Sequence, residues 1–366
     1  MMSQVVQLAI QAGSAYENLV KMQWSLATFR TSKAYQSLIK LRSLWHPNRC
    51  LQVGLVAPHL FDFGDAYEIV DRTLFNVFRV EPAAFLRGDF PNADVLIIRS
   101  AAVDSNEALA AAQNVLTVRP HVVTCCWGWD HHHLGRIHAL MSIVFDFFTP
   151  LHESSIDYLR SAVGLVTRPV WGFSQFTNSK VIDALASEFL LKPRSDALYG
   201  HFTRYGVPRD ALADACQKMI EGVNIECKPS LDPSIHDYFK ISESNRFADW
   251  SAHKVSLNLS INNDVPLRIF DALLTGQIPL VSRNVTGFER LFSEAEQQKL
   301  PILRFSIEHP TAIKAAWHRA LMRFNNDGTG GIHRRYECAR RHHLLENRLK
   351  TFFDIFDEYA EEAATL

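Results

Sequence analysis

Residues 255–283, VSLNLSINNDVPLRIFDALLTGQIPLVSR, read as strand, loop, helix, glycine stop and strand. Val255–Leu259 carries apolar residues on both faces, the pattern of a strand covered on two sides. The loop Ile261–Asn262–Asn263–Asp264 supplies two Asn and an Asp, all good helix N-caps. Pro266 is expected in the first helical turn, where its missing N–H costs nothing. Gly276 ends the helix, and Ile278–Ser282 resumes a strand. On the helix Asp264, Arg268 and Asp271 fall at i, i+4 and i+7 and share one face. Leu267, Phe270 and Leu274 share another, suited to packing on a sheet.

A helix N-terminus after a parallel strand attracts anions. An Arg just inside it can pair with phosphate, and an Asp one turn later can accept bonds from ribose hydroxyls. The same residues fit an ordinary crossover whose Arg268 and Asp271 form an i,i+3 ion pair on a solvated face. Spacing leaves both readings open.

The segment resembles the nucleotide-sugar half of GT-B glycosyltransferases, nearest to the bacterial group that includes the CgeB spore-maturation-like proteins. The group's D…R-x-F-E-A-L-x-x-G-x-x-P-L-I run stands here as Asp264, Arg268, Phe270, Asp271, Ala272, Leu273, Gly276, Pro279 and Leu280. Asp271 replaces the usual Glu and shortens its reach by one methylene. Asn263, beside Asp264, occupies the place of a second Glu found in many relatives. Upstream, Ala197–Arg209 (ALYGHFTRYGVPR) is similar to the strand that opens this domain, where a Gly-rich turn follows and an Arg starts the next helix. Downstream, His342, His343 and Arg348 are similar to a closing H-x-x-x-x-R helix. The likeness covers roughly residues 190–355. It implies a donor site made of Gly200, His201, Arg204, Asn263, Asp264, Arg268 and Asp271. Gly200, His201, Arg204 and Arg268 would face the phosphates, and Asp271 the ribose.

The chain's 366 residues suggest two domains, and 47% hydrophobic content is ample for two cores. Lys+Arg of 38 against Asp+Glu of 39 gives a formal charge of −1, unlike the basic domains of nucleic-acid-binding proteins. Six Cys show no CxxC pair and no metal-ligand spacing, and read as reduced thiols of a cytoplasmic protein. No apolar run reaches a membrane span, and without a basic n-region followed by an apolar h-region no signal peptide is expected. The first 45 residues have helical spacing, with Lys21, Arg30, Lys33, Lys40 and Arg42 making them mildly basic. They could lie against the inner face of a membrane or pack on their own domain.

Strands are expected at Leu51–Ala57, Ala93–Arg99, His121–Cys126, Ile143–Phe147 and, more weakly, Val166–Val170, with helices between the first two and near 106–113. This alternation indicates α/β architecture with parallel sheets. The expected organisation is a helical segment (1–48), a Rossmann-like acceptor domain (49–175), a linker near 172–195, a Rossmann-like nucleotide-sugar domain (190–343) and a C-terminal helix (344–366) returning toward the first domain. The GT-B likeness implies that the two domains face each other across a cleft.

The run Trp127–His133 (WGWDHHH) follows a strand at its carboxyl end, where ligands sit in open α/β sheets. Trp127 and Trp129 offer flat surfaces on which sugars could stack. Asp130, with His131 and His133 behind it, is the candidate general base that takes a proton from an acceptor hydroxyl. Adjacent His side chains point apart, so no metal site is expected, and a structural loop with incidental His is the alternative to a role in the acceptor or catalytic site. His152 and Glu153 lie on the same edge.

These readings imply transfer of a sugar from a nucleotide-sugar substrate to a glycan or glycoconjugate acceptor in cell-surface polysaccharide synthesis. No metal or further cofactor is implied. A nucleotide-sugar epimerase of the same architecture and a non-catalytic scaffold in a glycan-assembly complex are the alternatives.

Overall fold

The computed structural model describes residues 33–44, 49–57, 75–129, 131–153, 165–176, 179–204, 209–229, 241–260, 263–307 and 311–365. The chain divides into two compact units, residues 1–171 with 348–366 and residues 172–347.

The first unit opens with α1 (Lys33–Leu44) and holds β1 (Leu51–Val56), β2 (Phe75–Val80), α2 (Pro82–Arg87), β3 (Val95–Arg99), α3 (Asn106–Val118), β4 (Val123–Gly128), α4 (His131–Val144), β5 (Phe147–Pro150) and β6 (Leu165–Val166). Its six strands form one sheet in the order β2-β1-β3-β4-β5-β6, and every pairing is parallel. The central strands are buried on both faces, which is why they read as continuous apolar runs. Ser105 starts α3 by accepting the Ala108 N–H at 3.1 Å.

Two local expectations are corrected here. Ile143 and Val144 end α4, and the strand begins at Phe147. Asp146 makes that boundary, because its carboxylate accepts both the N–H and the hydroxyl of Thr124 on the neighbouring strand. The helix expected between the first two strands is α2, but a strand not expected there, β2, precedes it, its FNVFRV rich in aromatic and β-branched residues.

The last helix, α12 (Leu345–Thr365), lays a row of aromatics on this unit. Phe352 meets Trp127 edge-on at 5.0 Å, Phe353 stacks on Phe75, and Phe356 lies 5.8 Å from Phe147. The helix keeps Leu349, Phe352, Phe353 and Phe356 buried, the apolar face its heptad-like spacing announces.

The second unit contains α5 (Ser179–Phe189), β7 (Ser195–Arg204), α6 (Arg209–Met219), β8 (Asn224–Pro229), α7 (Glu243–Ser251), β9 (His253–Asn258), α8 (Arg268–Leu274), β10 (Ile278–Ser282), α9 (Phe288–Leu291), α10 (Glu294–Lys299), β11 (Leu303–Phe305) and α11 (Thr311–His342). Helix α5 lies inside the stretch read as a linker. The sheet is parallel, in the order β11-β10-β9-β7-β8. Chain direction across the sheet therefore reverses between β7 and β9. Such a switch point opens a crevice at the carboxyl ends of the two strands.

No helix among the described residues is long and apolar enough to cross a membrane. Lys33 and Lys40, read as part of a basic membrane-facing segment, are engaged on their own unit. Lys33 donates to the Ile143 carbonyl, and Lys40 pairs with Asp146 at 2.7 Å. Desolvation lowers the Lys33 pKa to about 8.

Candidate functional site

The segment 255–283 folds as strand, helix and strand, but the helix entry differs from the expected one. Helix α8 begins at Arg268 behind Leu267, with no side-chain cap. Pro266 precedes it in a tight turn, its carbonyl accepting the Ile269 N–H at 3.1 Å. Asp264 is held elsewhere and accepts the Ser260 hydroxyl at 2.7 Å. Asn263 takes a left-handed φ of 66° and accepts the Asn284 amide at 3.0 Å. The helix has seven residues, and Ile269–Leu274 are all inaccessible to solvent. It is buried all round, as a helix at the centre of a core must be.

Arg268 reaches back over the carboxyl end of β7. Its guanidinium carbon lies 5.7 Å from the centre of the Phe202 ring. Arg209, the first residue of α6, lies 5.1 Å from the same ring and is 6% exposed. The two arginines start the helices that follow β7 and β9, the strands flanking the switch point. Gly200 makes room for the ring: a Cβ there would stand 2.7 Å from Phe202 Cε2. Two cations on one ring, at the carboxyl edge of a parallel sheet, make a place where an anion would be stabilised.

The other residues expected at the phosphates go elsewhere. Gly200 and His201 lie within β7, not in a turn after it. His201 is buried, with Nε2 at 3.4 Å from the Glu226 carboxylate. Arg204 forms an ion pair with Asp214 at 2.6 Å, which holds the Asp214 pKa below the ordinary carboxylate value. Arg209 is absent from the expected donor set. Its signal is present in the sequence, since Pro208-Arg209 marks a helix start one loop beyond the strand.

Asp271, expected at the ribose or in an ion pair on a solvated face, is on neither an open nor a solvated surface. It is wholly buried. Its Oδ1 accepts the Ser174 hydroxyl at 2.7 Å and the Gln175 N–H at 2.8 Å. Its Oδ2 is buried with no hydrogen-bond partner among the described residues. Burial pushes its pKa up to about 6, against the lowering effect of those two bonds and of Arg246 and Arg268. No surface of this carboxylate is available to a ribose hydroxyl. The cause is the segment 172–176, which lies against α8. A Cβ on Gly172 would stand 2.1 Å from Leu267 Cδ2, and the Ser174 N–H donates to the His343 carbonyl at 2.8 Å. His343 stacks on Phe270 at 4.9 Å. Arg348 is buried too, and desolvation lowers its pKa to about 9.

In the first unit Asp130 lies outside the described residues. His131 and His133 fall in the first turn of α4, and nothing is described of their side chains. The two tryptophans beside them are not stacking surfaces. Trp127 is fully buried, donates from Nε1 to the Val170 carbonyl at 2.9 Å and packs edge-on against Trp129. Trp129 is 5% exposed, its backbone N–H donating to the Ser100 hydroxyl oxygen at 2.8 Å and its ring covered by Arg99. Both belong to the core because β4 is the buried centre of the sheet. His152 is buried, and Glu153 is half-buried. No group of three potential metal ligands occurs among the described residues.

No protein-family model matches the chain, and no curated protein matches it in sequence. Its fold is similar to that of an O-GlcNAc transferase variant from Thermobaculum terrenum, with TM-score 0.54 and 12% identity, over 87% of this chain and 69% of that one. Weaker likenesses are to a sucrose-phosphate synthase of Thermosynechococcus elongatus (TM-score 0.48, 10% identity, 86% of this chain and 98% of that one) and to the catalytic domain of starch synthase IV from Arabidopsis thaliana bound to ADP and acarbose (TM-score 0.47, 12% identity, 76% of each chain). The chain has the GT-B fold of two Rossmann-like α/β domains.

Proposed function

We propose that the chain is a glycosyltransferase that binds a nucleotide-sugar donor on its second unit and moves the sugar to a glycan or glycoconjugate acceptor. The observation that carries this reading is the convergence of Arg209 and Arg268 on Phe202 at the β7/β9 switch point. Sugar transfer leaves a nucleoside diphosphate or monophosphate. Its negative charge grows as the glycosidic bond breaks. Preorganised guanidinium groups stabilise that charge without reorganising, and they do so without a metal ion. Arg268 and Arg209 would face the phosphates, with Asn263 and Asp264 at the mouth of the same edge. Asp130, or one of His131 and His133, would take the acceptor proton; their place after a central strand of the first sheet supports this assignment.

The run 264–280 supports kinship with the CgeB-like bacterial group and a role in cell-surface polysaccharide synthesis, in the cytoplasm or at the inner face of the membrane. Substrate is set by the site and not by the fold, and the motif residues carry these finer assignments.

The test is binding of UDP, GDP, CMP, TDP and ADP by thermal shift and calorimetry, since a ligand of the native state raises its stability by mass action. One nucleotide should stabilise the protein. Arg268→Ala and Arg209→Ala should each weaken it by roughly ten- to a hundred-fold, the loss of one charge-assisted bond. Binding unchanged in both variants would remove this site. Donor turnover then separates the readings: slow nucleotide release without acceptor fits a transferase, and epimer formation fits an epimerase.

A further inference from the structure

We propose that Asp271 is a positioning residue of the nucleotide site: it ties segment 172–176 to helix α8 and so fixes Arg268 at the phosphates, without touching the nucleotide. The inference rests on the donor site proposed above and changes the part Asp271 plays in it.

The geometry is direct. Asp271 lies one helical turn after Arg268, and its carboxylate faces away from solvent. Oδ1 receives two donors from one short stretch of chain, the Ser174 hydroxyl and the Gln175 N–H. The same stretch is fixed at two further points and braced by one internal bond. The Ser174 N–H bonds to the His343 carbonyl, the Phe176 N–H bonds to the Ser174 hydroxyl at 3.2 Å, and the Phe176 ring packs on Phe247. Gly172 lets the backbone close on Leu267, immediately before Arg268. The start of α8 is thus held from outside by a strap that is anchored on that helix through the Asp271 carboxylate. A seven-residue helix with no side-chain cap needs such an anchor, because its own first turn offers little to fix the arginine. Arg246 of α7 and Arg268 are the charges felt at the carboxylate, and the His343 ring stacks on Phe270.

A ribose contact and a positioning role predict different losses. Inorganic pyrophosphate carries the phosphates without a ribose, and the 2′,3′-dideoxy form of the best nucleoside diphosphate lacks both hydroxyls. Three probes are therefore titrated by calorimetry against the full chain: that nucleotide, its dideoxy analogue and pyrophosphate. The proteins are wild type, Asp271→Ala, Asp271→Asn and Ser174→Ala, each first shown folded by circular dichroism and a cooperative melt. A positioning role gives Asp271→Ala about ten-fold weaker binding of all three probes alike, the misplacement of one phosphate contact. Ser174→Ala should weaken all three in the same sense. Asp271→Asn should recover most of the affinity, because its amide oxygen still accepts both bonds. A variant that melts lower but binds pyrophosphate as tightly as wild type would overturn the proposal. So would a loss confined to the ribose nucleotide, which would restore the ribose contact. If wild type binds none of the probes, the donor site itself fails, an outcome distinct from either.

Discussion

At the scale of single residues, the informative cases are carboxylates and arginines whose partners differ from their sequence neighbours. Asp271 has a pKa raised to about 6 because burial disfavours its charge. Its ordinary value is lower, so the native state binds the proton more tightly than the unfolded chain. The stability this confers is complete at low pH and is lost as pH rises through about 6. The shift corresponds to a loss on the order of 3 kcal/mol between pH 4 and 7. Asp271→Asn should lack that fall. Urea unfolding of both proteins at pH 4.5 and 7.5 measures it, and parallel pH dependence would show that the carboxyl does not titrate in this range. Arg204 and Arg268 make the complementary case. Both stand near the carboxyl edge of the same sheet. One is taken up by Asp214 five residues into the next helix, and the other meets Phe202.

At the scale of elements, helix α12 shows what a periodic apolar face accomplishes. Its spacing was readable directly: Leu345, Leu349, Phe352, Phe353 and Phe356 recur on one side. What they cover was not readable, since Trp127 is more than two hundred residues earlier. The run WGWDHHH invited a sugar-binding interpretation because exposed tryptophans stack on sugars. Burial of β4 on both faces turns the same rings into core. Phe352→Ala should therefore destabilise the first unit by about 3–5 kcal/mol, the cost of a cavity left by a buried aromatic. Urea unfolding followed by tryptophan fluorescence reads this directly. A change below about 1 kcal/mol would mean that the Trp127–Phe352 contact is not part of the core.

At the scale of the whole molecule, two compact units with separate parallel sheets make local responses to a ligand separable. Nucleotide bound at Arg209 and Arg268 should slow hydrogen exchange in β7, the first turns of α6 and α8, and segment 172–176. The β1–β4 core of the first unit should change little in the absence of acceptor. Protection confined to the first unit would place the nucleotide on the wrong sheet. The sequence by itself determined the α/β class, the strand–helix–strand run at 255–283, the apolar central strands and the amphipathic last helix. These follow from periodicity and turn chemistry within a dozen residues. It also marked Arg268 through its place just after a strand and loop. The tertiary structure alone decided that Asp271 is buried, that Arg209 joins Arg268 on Phe202, that Arg204 does not, and that Trp127 is core. The burial of Asp271 and Trp127 depends on partners brought in by the fold, as Ser174 is brought to Asp271 across 97 positions of chain, and even Arg204, whose partner Asp214 is ten positions away, finds it only once the strand and the next helix pack together. Burial and partner choice are properties of such distant contacts, and local pattern carries no record of them.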